Sequence, residues 1–190
     1  KFADHLIVVD KKIKGLKNKI IGTYRLIRGE VALSSGGFYT SSEFDLTNIL
    51  NSYNHRHILE LGRSCVHKNY RNGTTMNLLW KAIAEYVKLY DIKVLLGCAS
   101  FPGIDVQEFS KEIFYLRSNF SLPEEMSIKS IVNNNHIIYD NNNTNENDLK
   151  IFAKLPPLFK GYLRVGGKVS KDIFVDYKFN TIDFCVVVQT

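Results

Sequence analysis

Apolar positions fall into short runs separated by polar turns. HLIVVD (5–10) and IIGTYRLI (20–27) are rich in β-branched and aromatic residues and predict two strands around the basic turn KKIKGLKNK. LSSGGFYTSSEF reads as loop and short strand, and FDLTNILNSY (44–53) as a short helix after a Ser-rich cap. HILELGRSCV (57–66) predicts a third strand. Between 74 and 90 the period changes: Met76, Leu79, Trp80, Ile83 and Val87 share one face and Lys81, Glu85 and Lys88 the other, which predicts a helix. IKVLLGCASF (92–101) is almost continuously apolar, as in a strand covered on both faces. VQEFSKEIFYLRSNF (106–120) reads as helical, with Asp105 as a candidate cap. LPPLFKGYLRVGG (155–167) turns at its prolines and predicts one short helix ending near Gly166, before the strands DIFVDY and IDFCVVV.

Residues 133–148 break the pattern. They are dominated by asparagine, offer little to bury, and are expected to form a loop excursion that the chemistry does not need. Strands and helices alternate in the middle, with antiparallel hairpins at both ends. The expected fold is a single α/β (α+β) domain over 1–190 without internal repeats.

Composition narrows this picture. A chain of 190 residues, 45% apolar and 12% aromatic, has enough material for a core, which excludes a disordered protein. A net charge of +6 and a pI near 9.1 suit an acidic partner: nucleic acid, anionic lipid or an acidic carrier protein. No nucleic-acid-binding module is recognisable, so that partner is not expected. A purely membrane-active protein would need a long amphipathic cationic segment, and none is visible. Cys65, Cys98 and Cys185 lie in apolar runs without ligand spacing, which points to reduced thiols and a cytoplasmic setting. The histidines have no metal-ligand spacing either, so no metal is expected. No apolar run approaches the roughly 18 residues of a spanning helix. No signal peptide is visible, and the strand-like run directly after residue 1 suggests that the chain begins inside a longer protein.

The candidate chemistry sits in ELGRSCVHKNYRNGTT (60–75). Glu60 and Arg63 are three apart, on opposite faces of a regular strand, but a bulge at Gly62 would bring them to one face and release a backbone N–H from the ladder. A carboxylate, a guanidinium and a free amide suit acyl transfer: one takes a proton, one fixes an anion, one polarises a carbonyl. An exposed strand end with a solvated salt bridge accounts for the pair at least as well. Downstream, Gly73, Thr74 and Thr75 open the best helix, where backbone N–H groups bind phosphate, with Lys68 and Arg71 beside them. Thr as an ordinary N-cap explains that start equally. Cys98 and Ser100 in GCASFPG lack a GxSxG elbow and read as packing. Lys160, Tyr162 and Arg164 read as a basic, aromatic helix face.

The order strand with acid, basic turn, helix start resembles the donor-binding core of the GNAT acyltransferase superfamily, a mixed twisted sheet flanked by helices. The usual turn, Gln/Arg-x-x-Gly-x-Gly/Ala, is here Tyr70-Arg71-Asn72-Gly73-Thr74-Thr75, with Arg71 one place late. DHLIV, IIGTYRL, GGFYTSSEFDL, LELGRSCV, YRNGTTMNLLW, LLGCASFPGID, LPPLFKGYLRVGG and FNTIDF resemble, in this order, the acyl-carrier-protein-dependent ornithine N-acyltransferases of ornithine-lipid synthesis, some labelled haemolysin-like. A more distant likeness, to the acyl-homoserine-lactone synthases, includes Arg25 of GTYRL and the Glu-x-x-Arg of ELGR.

The resemblance implies transfer of a long, 3-hydroxylated acyl chain from acyl carrier protein to the amine of ornithine or a similar amino acid. It implies Glu60 as base, and the backbone near Gly62–Ser64 as the oxyanion donor. Ser64, Arg71, Gly73, Thr74 and Thr75 would hold the donor, and Arg25, Arg63 and Asp4 the acceptor or the carrier arm. The donor is a phosphopantetheine thioester, and no further cofactor is implied. Peripheral contact with an anionic inner membrane face is expected through Lys11, Lys12, Lys14, Lys17 and Lys19.

Overall fold

The computed structural model describes residues 2–15, 19–132 and 148–190, which divide into two compact units. The first holds the described residues up to Phe38, then Tyr53–Leu95 and Thr190. Its centre is an antiparallel trio: β1 (Asp4–Val9), β2 (Ile20–Arg28) and β4 (Ile58–Val66). β2 lies in the middle, with Leu26 opposite Asp4 on one side and Leu61 on the other. A short helix, α1 (Gly29–Ser34), follows β2 where loop was expected.

One face of the trio packs on α3 (Thr74–Leu89), the helix that the periodicity predicted. Thr75, Leu79 and Ile83, each four apart, are its buried stripe. Tyr24 meets Trp80 edge-on at 6.3 Å, and the Arg28 guanidinium lies 4.4 Å above the Tyr90 ring. Even-numbered residues of β2 therefore face the helix, and odd-numbered ones face away. The helix ends in a Schellman turn: Asp91 takes φ 51° and the Ile92 N–H bonds the Val87 carbonyl at 3.0 Å.

The second unit holds Tyr39–Ser52 and Leu96–Gln189. Its central strand is β9 (Thr181–Gln189), paired antiparallel with β7 (Lys168–Val169) and β8 (Phe174–Asp176) and neighbour to most of β5 (Val94–Pro102). Ile182 through Val188 are all buried, as befits a strand covered on both faces. Phe101 stacks 4.8 Å from Phe159 and 6.3 Å from Phe184, forming the aromatic centre of this core. β3 (Phe44–Asp45) and β6 (Lys129–Ser130) make a small antiparallel ribbon.

Around these strands lie α2 (Thr47–Ser52), α4 (Ser110–Phe120), α5 (Asp148–Lys154) and α6 (Pro157–Arg164). α2 starts three residues later than expected. The Asp45 carboxylate, rather than a serine, accepts the Thr47 N–H at 2.9 Å. Asp105 does cap the 3₁₀ turn before α4, through the Gln107 N–H at 3.0 Å. The expected basic, aromatic face of α6 is not formed: Tyr162 is 2% exposed and Lys160 Nζ bonds the Ala153 carbonyl. The Asn-rich stretch lies outside the described residues up to 147, as does Lys17, and Asp148 opens α5. No described helix is long and apolar enough to cross a membrane.

Candidate functional site

The first cluster is built on the face of the β1–β2–β4 trio opposite α3. Arg25 stands across from Gly62, and Glu60 lies two residues along β4 on the same face. Arg25 Nη2 reaches Glu60 Oε2 at 3.4 Å, and the Glu60 side chain is only 1% exposed. Gly62 leaves room for the guanidinium as it lies. A Cβ at that position would sit 2.8 Å from Arg25 Nη2, so a side chain there would push the guanidinium from its present path across the strand. A carboxylate this deep is costly unless a cation meets it, and Arg25 is that cation.

The bulge foreseen at Gly62 exists, displaced along the strand. Thr23 pairs with Cys65 and Arg25 with Gly62, so Arg63 and Ser64 together oppose Tyr24. Arg63 takes φ 51°. That backbone normally goes to glycine at the first bulge position, and it costs a larger residue about 1–2 kcal/mol. The bulge interrupts the regular pairing of β2 and β4 at Arg63–Ser64. The expected charge pairing is different: Arg63 is exposed while Glu60 is buried, and Arg25 supplies the guanidinium at Glu60.

Asp4 lies on the other face. It stands opposite Leu26 and accepts the Tyr86 hydroxyl at 2.5 Å, a bond between β1 and α3. Burial and this bond push the Tyr86 hydroxyl well above its ordinary range.

The turn expected to hold the donor, Tyr70–Thr75, is stapled at several points. Tyr70 donates to Asp10 Oδ2 at 2.7 Å, holding the Asp10 carboxyl below its usual range. Arg71 Nε donates to the Val66 carbonyl at 3.0 Å. Gly73 takes φ 90° at the N-cap of α3, where a side chain would be strained. The Thr74 N–H is already bonded to Asn72 Oδ1 at 3.1 Å, and the Thr75 side chain is buried. The Asn77 N–H is the first to bond back, to the Gly73 carbonyl at 3.0 Å, so Gly73, Thr75 and Met76 are the other N–H groups that lie ahead of the helix ladder.

A second cluster lies within the second unit and has no counterpart in the sequence reading. Glu43, Asp176 and Asp183 bring one carboxylate oxygen each to within 4.8 Å of one another. All three residues are buried. Cys98 Sγ donates to Glu43 Oε2 at 3.1 Å and Thr181 Oγ1 to Asp183 Oδ2 at 3.3 Å. Burial, reinforced by the neighbouring acids, pushes the Glu43 carboxyl up to about 7 and also raises Asp183. Burial pushes the Cys98 thiol up, so it stays a neutral donor. The available signal was an acid inside IDFCVVV, a run otherwise wholly apolar.

A model of the acetyltransferase (GNAT) domain family matches residues 1–81. The L-ornithine N(alpha)-acyltransferase of Agrobacterium fabrum is 37% identical over 97% of this chain and 63% of its own length. That of Rhodobacter capsulatus is 35% identical over 98% of this chain and 71% of its own. The chain belongs to the L-ornithine N(alpha)-acyltransferase family. It spans less than two thirds of the length of the Agrobacterium fabrum relative. Among solved structures, it is similar to an aminoglycoside 6'-N-acetyltransferase complexed with coenzyme A, at 9% identity and a TM-score of 0.47 over 99% of this chain and 73% of the other. Family membership bears out the GNAT-like α/β fold class expected from the blocks of residues. The span matched by the domain model covers β1 to β4 and the first half of α3, and so includes Glu60 and the turn at 70–75.

Proposed function

We propose that this chain transfers a long acyl group from acyl carrier protein to the α-amine of ornithine or a closely similar diamino acid. The carrying observation is a buried carboxylate, Glu60, held by Arg25 beside the bulge at Arg63–Ser64, in a chain whose family relatives bear the name L-ornithine N(alpha)-acyltransferase. The neutral amine nitrogen attacks the thioester carbonyl. The C–N bond forms, the C–S bond breaks, and the phosphopantetheine sulfur leaves as thiolate. Glu60 takes the proton that the amine loses, directly or through one water, and returns it to the departing sulfur. Backbone N–H groups at the bulge stabilise the oxyanion. Arg25 orients the Glu60 carboxylate.

Gly73, Thr75 and the outer guanidinium nitrogens of Arg71 hold the donor phosphate, and Arg63 faces the carrier arm. A 3-hydroxylated chain and an aminolipid product follow from the same reading. The charge of +6 favours the acidic carrier protein over coenzyme A as donor, through steering that salt weakens. The basic turn near Lys11, Lys12, Lys14 and Lys19 suits peripheral contact with anionic lipid.

Rates measured with matched acyl-carrier and acyl-CoA thioesters, against a panel of amino acids, test this. Faster turnover from the carrier donor with ornithine, declining as salt rises, is expected. Equal, salt-insensitive rates from both donors would remove the carrier protein, and preference for glycine or another monoamine would remove the diamino acid.

A further inference from the structure

We propose that the turn between β1 and β2, through Lys11, Lys12 and Lys14, is the surface on which the acidic carrier protein docks, an inference that rests on the carrier-donor reading above. A carrier's phosphopantetheine is joined through its phosphate to a side chain of the carrier, so the carrier's own surface lies next to wherever that phosphate is held. With the phosphate on the Tyr70–Thr75 turn, the carrier rests on the residues around it. Those residues are the β1–β2 turn. Tyr70 donates to Asp10 Oδ2 at 2.7 Å and the Lys12 N–H to Asp10 Oδ1 at 2.9 Å, so one carboxylate ties the two turns together. The Asp10 N–H bonds the Lys19 carbonyl at 2.8 Å and the His67 N–H the Ile21 carbonyl at 2.9 Å, which fixes the base of each turn.

The charge is laid out to match. Lys11, Lys12 and Lys14 are exposed on one turn, and Lys68 and Arg71 on the other. Among the described residues none of these five forms a salt bridge. Residues 10–19 and 66–75 contain a single acid, Asp10, and both of its oxygens are engaged in holding the turns. The stretches of chain that form the first unit hold fifteen Lys and Arg against six Asp and Glu, whereas those of the second hold ten against thirteen. The positive charge of the chain therefore belongs to the unit that carries these turns, where it complements an acidic protein. Anionic lipid is the other acidic surface that the lysines suit. The tie to the phosphate turn favours the carrier, because a lipid contact needs no such neighbour and a carrier does.

The test compares two donors with the same acyl chain: the carrier thioester, and bare acyl-phosphopantetheine, which keeps the arm and its phosphate and lacks the protein. Lys11→Glu with Lys14→Glu should lower kcat/KM for the carrier thioester at least tenfold relative to the bare arm, and flatten the salt dependence of the carrier reaction. Lys11→Gln with Lys14→Gln should act in the same direction and serves if the reversal does not fold. Lys81→Glu with Lys88→Glu makes the same change of net charge on α3, with Lys88 roughly 20 Å from the helix start, and should leave the donor ratio within twofold. An unchanged ratio in the Lys11 and Lys14 variants, or an equal loss in the α3 variant, would overturn the docking surface. So would lost binding to vesicles of phosphatidylglycerol and phosphatidylcholine with the donor ratio intact, which would give the turn to lipid. A parent preference for the carrier that survives the reversal removes this surface alone and leaves the carrier reading standing. A parent that shows no preference for the carrier over the bare arm would count against that reading itself.

Discussion

Arg25 Nη2 lies 3.4 Å from Glu60 Oε2, across the bare backbone of Gly62. The pair is 35 residues apart in sequence and joined by the β2–β4 register. It accounts for how an acid survives in the middle of an apolar strand, and each partner can be tested against the other.

Arg25→Ala should leave Glu60 buried without this cation and cost on the order of 2–3 kcal/mol, somewhat under the figure for fully buried pairs because Arg25 keeps 17% of its side-chain exposure. In a Glu60→Gln background the same change should cost less than half as much. Denaturant unfolding of the four proteins gives the cycle. Equal costs in both backgrounds would dissolve the pair as an energetic unit.

Glu60→Gln keeps the shape and removes the proton acceptor. It should melt near the parent temperature and lower kcat by roughly 10²–10⁴. Steady-state kinetics at saturating donor check this, and turnover at the parent rate would return Glu60 to a structural role.

Glu43 carries a pH dependence of definite sign. Its carboxyl is raised from the ordinary 4.5 to about 7 in the folded chain, so the folded state prefers the protonated form. Its contribution to stability is fully present below about 4.5 and is lost as pH rises through about 7. Glu43→Gln should therefore be more stable than the parent at pH 8, by about 2 kcal/mol, and the gap should close near pH 4.5. Thermal unfolding across that range in ligand-free buffer measures it. A Gln variant less stable than the parent at pH 8 would reverse the sign.

Asn72→Ala removes the side chain that caps the Thr74 N–H and should cost about 1 kcal/mol of stability. It also exposes that amide at the helix start. Donor KM should stay level or fall, since the vacated N–H can serve phosphate. A tenfold rise in donor KM without loss of stability would make Asn72 itself the donor ligand.

Much of the fold was legible because single elements carry their own signal. The 74–89 helix shows its buried stripe at spacings of four, and the strands at 20–28 and 58–66 are rich in β-branched residues. The two-residue strands β6 and β7 have no period to read, and α1 is too short to show one. Tyr162 is buried on α6 although Lys160 and Arg164 beside it suggest a polar face.

At the site, Glu60 stood out as an acid in an apolar strand, and Gly62 correctly announced a bulge nearby. The partner did not show itself. A local rule pairs Glu60 with Arg63, whereas the antiparallel register brings Arg25 from the neighbouring strand. The acid trio was hidden for the same reason in stronger form. Residues 43, 176 and 183 meet only through tertiary packing, and each alone reads as an ordinary turn or strand acid.

The measurement that bears most directly on the central claim is the product itself. The chain would be incubated with a 3-hydroxyacyl-carrier thioester and ornithine, and the product fragmented by tandem mass spectrometry to locate the new amide. The account predicts a mono-acylated ornithine carrying its amide on the α-nitrogen, and loss of that product in Glu60→Gln. An amide on the side-chain nitrogen, or no product from a folded chain with either donor, would contradict it.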